Sequence, residues 1–146
     1  MLTKSITYSD YNGVIRSEDF LFNLNKAEIL EMEMSVNGGM SEYLQGIIKS
    51  KNTSELFKIF KELIIKSYGQ KSNDGKTFRK MNEYGNPLYH DFISSEAYSV
   101  LLMELASDSD KAAEFINGIM PSDVIKEIAA QQNDNIQVAT LKGPTT

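Results

Sequence analysis

The first residues of the chain alternate between apolar and polar side chains, which is the spacing of a β-strand. Two alternating arms flank the sequence DYNG, in which Asn12 and Gly13 tolerate the positive φ angles that tight hairpin turns require. The pattern therefore predicts a β-hairpin over residues 5–24.

From residue 26 onward, apolar residues recur three and four positions apart, which is typical of amphipathic helices. The sequences NKAE and NTSE have the spacing of a capping box, so Asn25 and Asn52 are predicted to begin helices. Gly69 follows the clearest helix and is predicted to be its left-handed C-terminal residue. Helices are predicted over residues 26–35, 40–51, 53–68 and 95–106, over the stretch that carries Ala112, Phe115, Ile116 and Ile119, and from Pro121 onward. The predicted fold is mainly α, of the α+β class: an N-terminal β-hairpin followed by a bundle of about six short helices.

Two of these helices are apolar on more than one side. The segment SEAYSVLLMELA, residues 95–106, has apolar side chains almost all the way round its axis, and in residues 26–35 Leu30 and Met34 lie opposite Ile29 and Met32. Such a helix is either enclosed by other helices or keeps one face for a partner, and the spacing alone leaves both interpretations open. The candidate partner-binding residues are Ile29, Met32, Met34, Tyr98, Leu101, Met103 and Leu105.

Two stretches lack helical spacing. Residues 70–94 are polar and are predicted as a long loop, with a turn at residues 72–75 and a short strand at residues 76–80. Beyond Gln132 the sequence NDNIQVATLKGPTT has no periodicity and is predicted to be a loosely held tail. We therefore expect one globular domain over residues 1–132 and a C-terminal tail over residues 133–146.

Composition narrows the functional classes. A chain of 146 residues suits one domain, and no apolar run approaches the roughly 18 residues that span a bilayer, so no membrane association is expected. The start of the chain has no apolar signal segment, and the absence of cysteine fits a reducing compartment. The net charge is −5 and no dense basic cluster occurs, which argues against a nucleic-acid partner.

Candidate catalytic chemistry is sparse. His90 and Asp91 could form a base with its orienting carboxylate or a weak metal site, but adjacent residues in a polar segment rarely hold that geometry. Asp108 and Asp110 lack the glycine and glutamate of a calcium loop and are better explained as helix-capping residues. We expect neither an enzyme nor a cofactor or metal site.

Methionine is the most informative side chain in the composition. Six of the seven methionines fall in or near the helical region, and the flexible thioether either fills irregular gaps in a core or adapts to variable apolar partners. Together with the helices that are apolar on two sides, this is compatible with a protein that holds apolar segments of another protein. A methionine-containing core remains the alternative.

Three stretches together resemble the tail assembly chaperones of long-tailed bacteriophages, of the kind found in phages and prophages of Gram-positive bacteria. They are ITYSDYNGVIRSEDFLFNLNKAEILEMEMS, FKELIIKSYGQKSNDGKTFRK and SEAYSVLLMELASDSDKAAEFINGIMP, and they occur in this order over most of residues 6–121. The likeness lies in the overall sequence and does not include a compact binding motif.

The resemblance implies a non-enzymatic protein that binds the helix-rich tape measure protein, keeps it soluble and helps to recruit tail tube subunits. It implies action in the host cell cytoplasm and absence from the mature virion, and homo-oligomerisation is a reasonable accompanying hypothesis. A small structural or regulatory phage protein that acts on a host or tail component is the alternative function.

Overall fold

The computed structural model describes residues 1–35, 39, 42, 43, 46, 49 and 52–121. The predicted helix over residues 40–51 lies mostly outside the described residues, and the helix predicted from Pro121 and the tail over residues 133–146 lie outside them. The described elements, in chain order, are β1 (Leu2–Ser9), β2 (Ile15–Phe22), α1 (Lys26–Ser35), α2 (Thr53–Ser67), β3 (Tyr68–Lys71), β4 (Phe78–Arg79), α3 (Tyr89–Ile93), α4 (Glu96–Ser107) and α5 (Ser109–Ile119).

The four strands form one antiparallel sheet in the order β1-β2-β3-β4. The predicted N-terminal hairpin is confirmed, but the prediction of a hairpin followed by a six-helix bundle is wrong, because the sheet continues through β3 and β4. These two strands are four and two residues long, too short for alternation to stand out in the sequence. The fold is therefore a sheet packed against helices.

The stretch predicted as a long loop contains strand β4 and helix α3. β4 falls within the short strand predicted at residues 76–80, and the predicted turn before it is closed by Asp74, whose carboxylate accepts hydrogen bonds from the Ser72 hydroxyl and the Lys76 amide. A β-bridge between Met81 and Pro87 follows, and then α3. The stretch is ordered by short-range hydrogen bonds that hydrophobic spacing does not reveal.

The hairpin has one core face and one polar face. Leu2, Lys4, Ile6 and Tyr8 of β1 point toward the helices, while the alternate side chains of β1 are exposed. On the exposed face the Thr7 and Ser17 hydroxyls lie 3.0 Å apart, and the Ser5 hydroxyl donates a hydrogen bond to Asp19. Polar side chains on this face therefore satisfy one another across the two strands.

Helix starts follow the predicted caps. The Asn25 side chain accepts a hydrogen bond from the Glu28 amide at 2.8 Å, and the Glu28 carboxylate accepts one from the Asn25 amide at 3.0 Å. Asn52 caps α2 through the Glu55 amide at 3.3 Å. The Asp108 carboxylate accepts hydrogen bonds from two amides in the first turn of α5, which agrees with the capping interpretation of this acidic run.

The core is centred on aromatic side chains that join the sheet to the helices. The Phe22 ring, which is fully buried, lies 5.7 Å from the rings of Tyr68 and Phe92 and 5.4 Å from that of Phe115, measured between centroids. Tyr68 and Phe92 stack at 4.8 Å. This cluster, which we call the aromatic core, brings β2, β3, α3 and α5 together.

Gly69 has a different role from the one predicted. It lies in β3 without a positive φ angle, so it is not a left-handed helix terminus. A Cβ atom at this position would lie 2.5 Å from the Arg79 carbonyl oxygen and 2.5 Å from the Phe78 ring. Glycine is needed here because β4 passes too close to β3 for any side chain.

We predict that Gly69→Ala destabilises the chain by on the order of 1–3 kcal/mol, because the added methyl group meets a backbone atom that cannot rotate away. Urea unfolding followed by circular dichroism would measure the change, with Lys71→Ala at an exposed position of the same strand as the control. Equal unfolding midpoints for the two variants would contradict the close-approach explanation.

The aromatic core also predicts a response to alkaline pH. Burial raises the pKa of the Tyr68 hydroxyl above its ordinary value of 10.0, and the neighbouring Asp91 carboxylate raises it further. A group whose folded pKa is raised stabilises the fold below its unfolded pKa, and this contribution is lost as the pH rises through the folded pKa. We expect the free energy of unfolding to fall more steeply above pH 10 in the natural chain than in Tyr68→Phe, as measured by urea titrations at stepped pH. Parallel pH profiles would contradict it.

Candidate partner-binding surfaces

Helix α1 turns one apolar side inward and another outward. Ile29 and Met32 are 2% and 5% exposed, whereas Leu30 and Met34 are 57% and 86% exposed. Ala27 is exposed on the same outer side, three residues before Leu30. The side chains of Ala27, Leu30 and Met34, which we call the α1 stripe, follow the three- and four-residue spacing of one helix face.

The orientation of α1 is fixed at its first turn. The Lys80 ammonium group lies 2.7 Å from the Glu28 carboxylate and donates a second hydrogen bond, at 2.6 Å, to the Lys66 carbonyl oxygen at the end of α2. Glu28 also belongs to the capping box, so its ion pair with Lys80 joins the start of α1 to α2 and to the segment after β4. The helix that carries the α1 stripe is therefore held in place at its N-terminus, and its two buried side chains hold it against the core.

Helix α4 is not fully enclosed by the rest of the described structure. Ala97, Leu101 and Leu105 are at most 1% exposed and face the core. On another side of the same helix Val100 and Met103 are 40% and 64% exposed, and we call these two residues the α4 stripe. The helix therefore has a core face and a separate exposed apolar face.

The seven candidate residues fall into two groups. Ile29, Met32, Leu101 and Leu105 are buried in the hydrophobic core. Met34 and Met103 are on the surface, and Tyr98 is half-buried with its ring 6.2 Å from that of Phe92. The exposed candidates therefore lie on two different helices, Met34 on α1 and Met103 on α4.

The candidate residues predicted from the sequence did not include Leu30 and Val100, which lie on the same exposed helix faces as Met34 and Met103. Leu30 precedes Met34 by four residues and Val100 precedes Met103 by three, so helical spacing could have identified both. Tyr11 and Tyr84 are also strongly exposed, at 76% and 81%, on tight turns, and hydrophobic spacing gives no signal for either.

A family model described as phage tail assembly chaperone matches residues 1–144. The chain belongs to the phage tail assembly chaperone family. The resemblance found in the sequence is thereby confirmed at the level of the family. Comparison with curated proteins and with solved structures gives no match.

Family membership assigns the chaperone a role in phage tail assembly, a process that takes place in the host cell. It also implies a role in which the protein binds other tail proteins and performs no bond chemistry. No helix in the described part of the chaperone has the length and hydrophobicity that a membrane crossing requires.

The histidine considered as a catalytic or metal-binding candidate is a surface side chain. His90 is exposed on α3, with its ring 4.8 Å from that of Tyr89. Within the described residues, no group of three or more His, Cys, Asp or Glu side chains could hold a metal ion. A surface hollow of about 550 Å³ lies beside the start of α1, and the one carboxylate among its lining residues, Glu28, is paired with Lys80.

The two sides of α1 give a direct test of the observed orientation. We predict that Met32→Asp lowers the free energy of unfolding by on the order of 3 kcal/mol, because it places an unpaired charge in the core. Met34→Asp should cost about 1 kcal/mol or less, because that side chain is in solvent. Urea unfolding of both variants measures the difference, and equal losses would mean that α1 is not oriented as described.

Proposed function

We propose that the chaperone binds the tape measure protein of a long-tailed phage or prophage of Gram-positive bacteria, keeps it soluble and helps to recruit tail tube subunits. It acts in the host cell cytoplasm and leaves before the virion is mature. Family membership supports the general role, and the α1 stripe is the observation that supports an apolar helical client.

The α1 stripe suits an amphipathic helix as its occupant. Its members are spaced along one face of a helix that is oriented by its cap and by an ion pair, and an amphipathic client helix can lay its own apolar face along such a row. A tape measure protein is a long series of such helices with unburied apolar faces until the tube forms around it. The same surface could therefore be used repeatedly along one client.

A single contact between one α1 stripe and a client helix is weak. Full burial of a leucine or methionine side chain is worth about 1.5–3 kcal/mol, and association itself has a cost of several kcal/mol. One stripe with two large side chains therefore supports reversible binding, and many copies on one long client would reach high avidity. Weak individual contacts also allow the chaperone to leave when tube subunits arrive.

The net negative charge of the chaperone helps to keep its complex with a client soluble. The chain carries a net charge of −5, and Glu31 and Glu33 flank the α1 stripe on its helix. Like charges on neighbouring subunits limit non-specific association while a client is held. Any homo-oligomer of the chaperone would have to form through contacts that overcome this repulsion.

Of the seven candidate residues, we propose that Met34 contacts the client directly. Ile29 and Met32 hold the other side of α1 in the core, and Leu101 and Leu105 do the same for α4. These four residues contribute to binding by fixing the position of the helices. Tyr98 and Met103 lie on α4, which packs against β1.

Co-expression with the tape measure protein tests the proposal. We expect the natural chaperone to move an otherwise insoluble tape measure protein into the soluble fraction as an isolable complex. Met34→Asp should reduce the amount recovered about tenfold, which corresponds to the loss of about 1.4 kcal/mol of binding free energy. Quantified gel filtration of the soluble fraction measures both results.

Met81→Asp is the matched control, since Met81 is also a strongly exposed methionine but lies beyond β4, outside the α1 stripe. It should leave recovery of the tape measure protein unchanged. Tape measure protein that stays in the pellet with the natural chaperone would refute the proposed client. Equal losses in the two variants would show that the α1 stripe is not the binding surface.

A further inference from the structure

The surface hollow beside the start of α1 concentrates positive charge. It is lined by the three lysines Lys71, Lys76 and Lys80, on a chain whose net charge is −5. Its volume of about 550 Å³ is within the range of roughly 300–1,000 Å³ that ligand pockets occupy. We call this surface the basic hollow.

Two of the three lysines have no ion-pair partner within the described residues. The Lys80 ammonium group lies 2.7 Å from the carboxylate of Glu28, the one acidic residue among those that line the basic hollow. In the part of the chain that the structure describes, neither Lys71 nor Lys76 has a carboxylate within ion-pair distance. The basic hollow therefore carries an excess of two positive charges.

The backbone that carries these two lysines is held by a hydrogen-bonded turn. The Ser72 amide donates a hydrogen bond to the Thr77 carbonyl oxygen at 2.9 Å, and the Thr77 amide donates one to the Ser72 hydroxyl at 3.1 Å. The Asp74 carboxylate accepts hydrogen bonds from the Ser72 hydroxyl at 2.7 Å and from the Lys76 amide at 3.0 Å. The acidic group of the turn is thus engaged inside it, and both ammonium groups extend from an ordered backbone.

Phe78 supplies an apolar surface beside the lysines. It is the antiparallel partner of Lys71, so the two side chains share one face of the sheet. The ring lies close above Gly69, where a Cβ atom would be 2.5 Å from it, and the Lys80 ammonium group is 5.9 Å from the ring centroid. That distance is within the range of a cation–π contact. The ring is therefore held in place between a glycine and an ammonium group.

Two asparagines add neutral polar groups to the basic hollow. Asn23 and Asn25, which precede α1, both line it. The side-chain oxygen of Asn25 accepts the capping hydrogen bond from the Glu28 amide, and its NH₂ group remains a donor. Primary amides form hydrogen bonds with peptide groups as well as with charged groups. The lining thus combines two unpaired cations, an aromatic ring and amide donors.

An acidic peptide suits this lining better than a nucleic acid does. Nucleic-acid binding requires cations placed along a row of phosphates, whereas the basic hollow offers two unpaired ammonium groups on a protein whose net charge of −5 repels a long polyanion. Two carboxylates of a short peptide match the two ammonium groups in number. Its backbone can bond to the asparagine amides, and an apolar side chain between the carboxylates can contact Phe78.

We propose that the basic hollow binds a short acidic segment of a partner protein, in which carboxylates flank an apolar side chain. The carboxylates pair with Lys71 and Lys76, and the apolar side chain packs on Phe78. Glu28, the α1 residue that lines the hollow, is rotated by about 100–160° around the helix axis from every member of the α1 stripe. The two surfaces therefore lie on different sides of α1, and this proposal does not depend on the client that the α1 stripe holds.

Fluorescence anisotropy of a labelled peptide with the full-length chaperone tests the proposal. The probe is a leucine with two glutamates on each side, and the control peptide has glutamine in place of every glutamate. The probe should bind at low salt. The double variant Lys71→Gln, Lys76→Gln should weaken binding by about tenfold, because it removes both unpaired charges. The double variant Lys58→Gln, Lys61→Gln, which makes the same change in net charge on the exposed side of α2, should alter the affinity by about twofold or less.

Several results would overturn the proposal. They are the absence of probe binding to the natural chaperone, equal affinity of the two double variants, and binding of the glutamine peptide as tight as that of the probe. A thymidine oligonucleotide or inorganic phosphate that binds as tightly as the probe would show that the hollow does not select an acidic peptide. A probe with glycine in place of leucine should bind about threefold more weakly, and unchanged affinity would refute the contact with Phe78. Circular dichroism checks that each variant is folded.

Discussion

Packing of the Phe22 ring against Tyr68, Phe92 and Phe115 is the interaction on which the rest of the structure depends. The two-residue pairing between β2 and β3 is too short to define a sheet by itself, since it joins only Leu21 to Gly69 and Phe22 to Tyr68. The rings supply the buried apolar area that holds this short pairing together and place α3 and α5 on the same side of the sheet. That packing joins the hairpin to α3 and α5.

The position of the α1 stripe follows from this core. Only two residues separate β2 from the cap of α1, and one of them, Leu24, is fully buried and bonded through its amide to the end of α5. The chain therefore enters α1 from a fixed point, the capping box sets where the helix begins, and burial of Ile29 and Met32 sets its rotation. Exposure of Leu30 and Met34 is a consequence of these constraints, and it gives a chaperone an apolar row on a rigid support.

Sequence reasoning succeeded where the signal was local. The turn at Gly13, the caps at Asn25 and Asn52 and the two apolar sides of α1 each depend on residues a few positions apart. It failed where distant residues decide the outcome: β3 is a strand because the Phe22 region of β2 lies beside it, and Gly69 is required by the approach of β4. Helix α4 was ambiguous for the same reason, since its apolar side chains surround the axis and only the positions of β1 and Phe92 divide them into buried and exposed sides.

The outer face of the hairpin carries hydroxyl groups, and their hydrogen bonds affect how neighbouring subunits could contact one another. Thr7 and Ser17 bond to each other, and Ser5 bonds to Asp19, so these groups are already satisfied and would gain little from a flat contact with another molecule. Neighbouring subunits placed side by side would therefore gain little adhesion through these three hydroxyl groups.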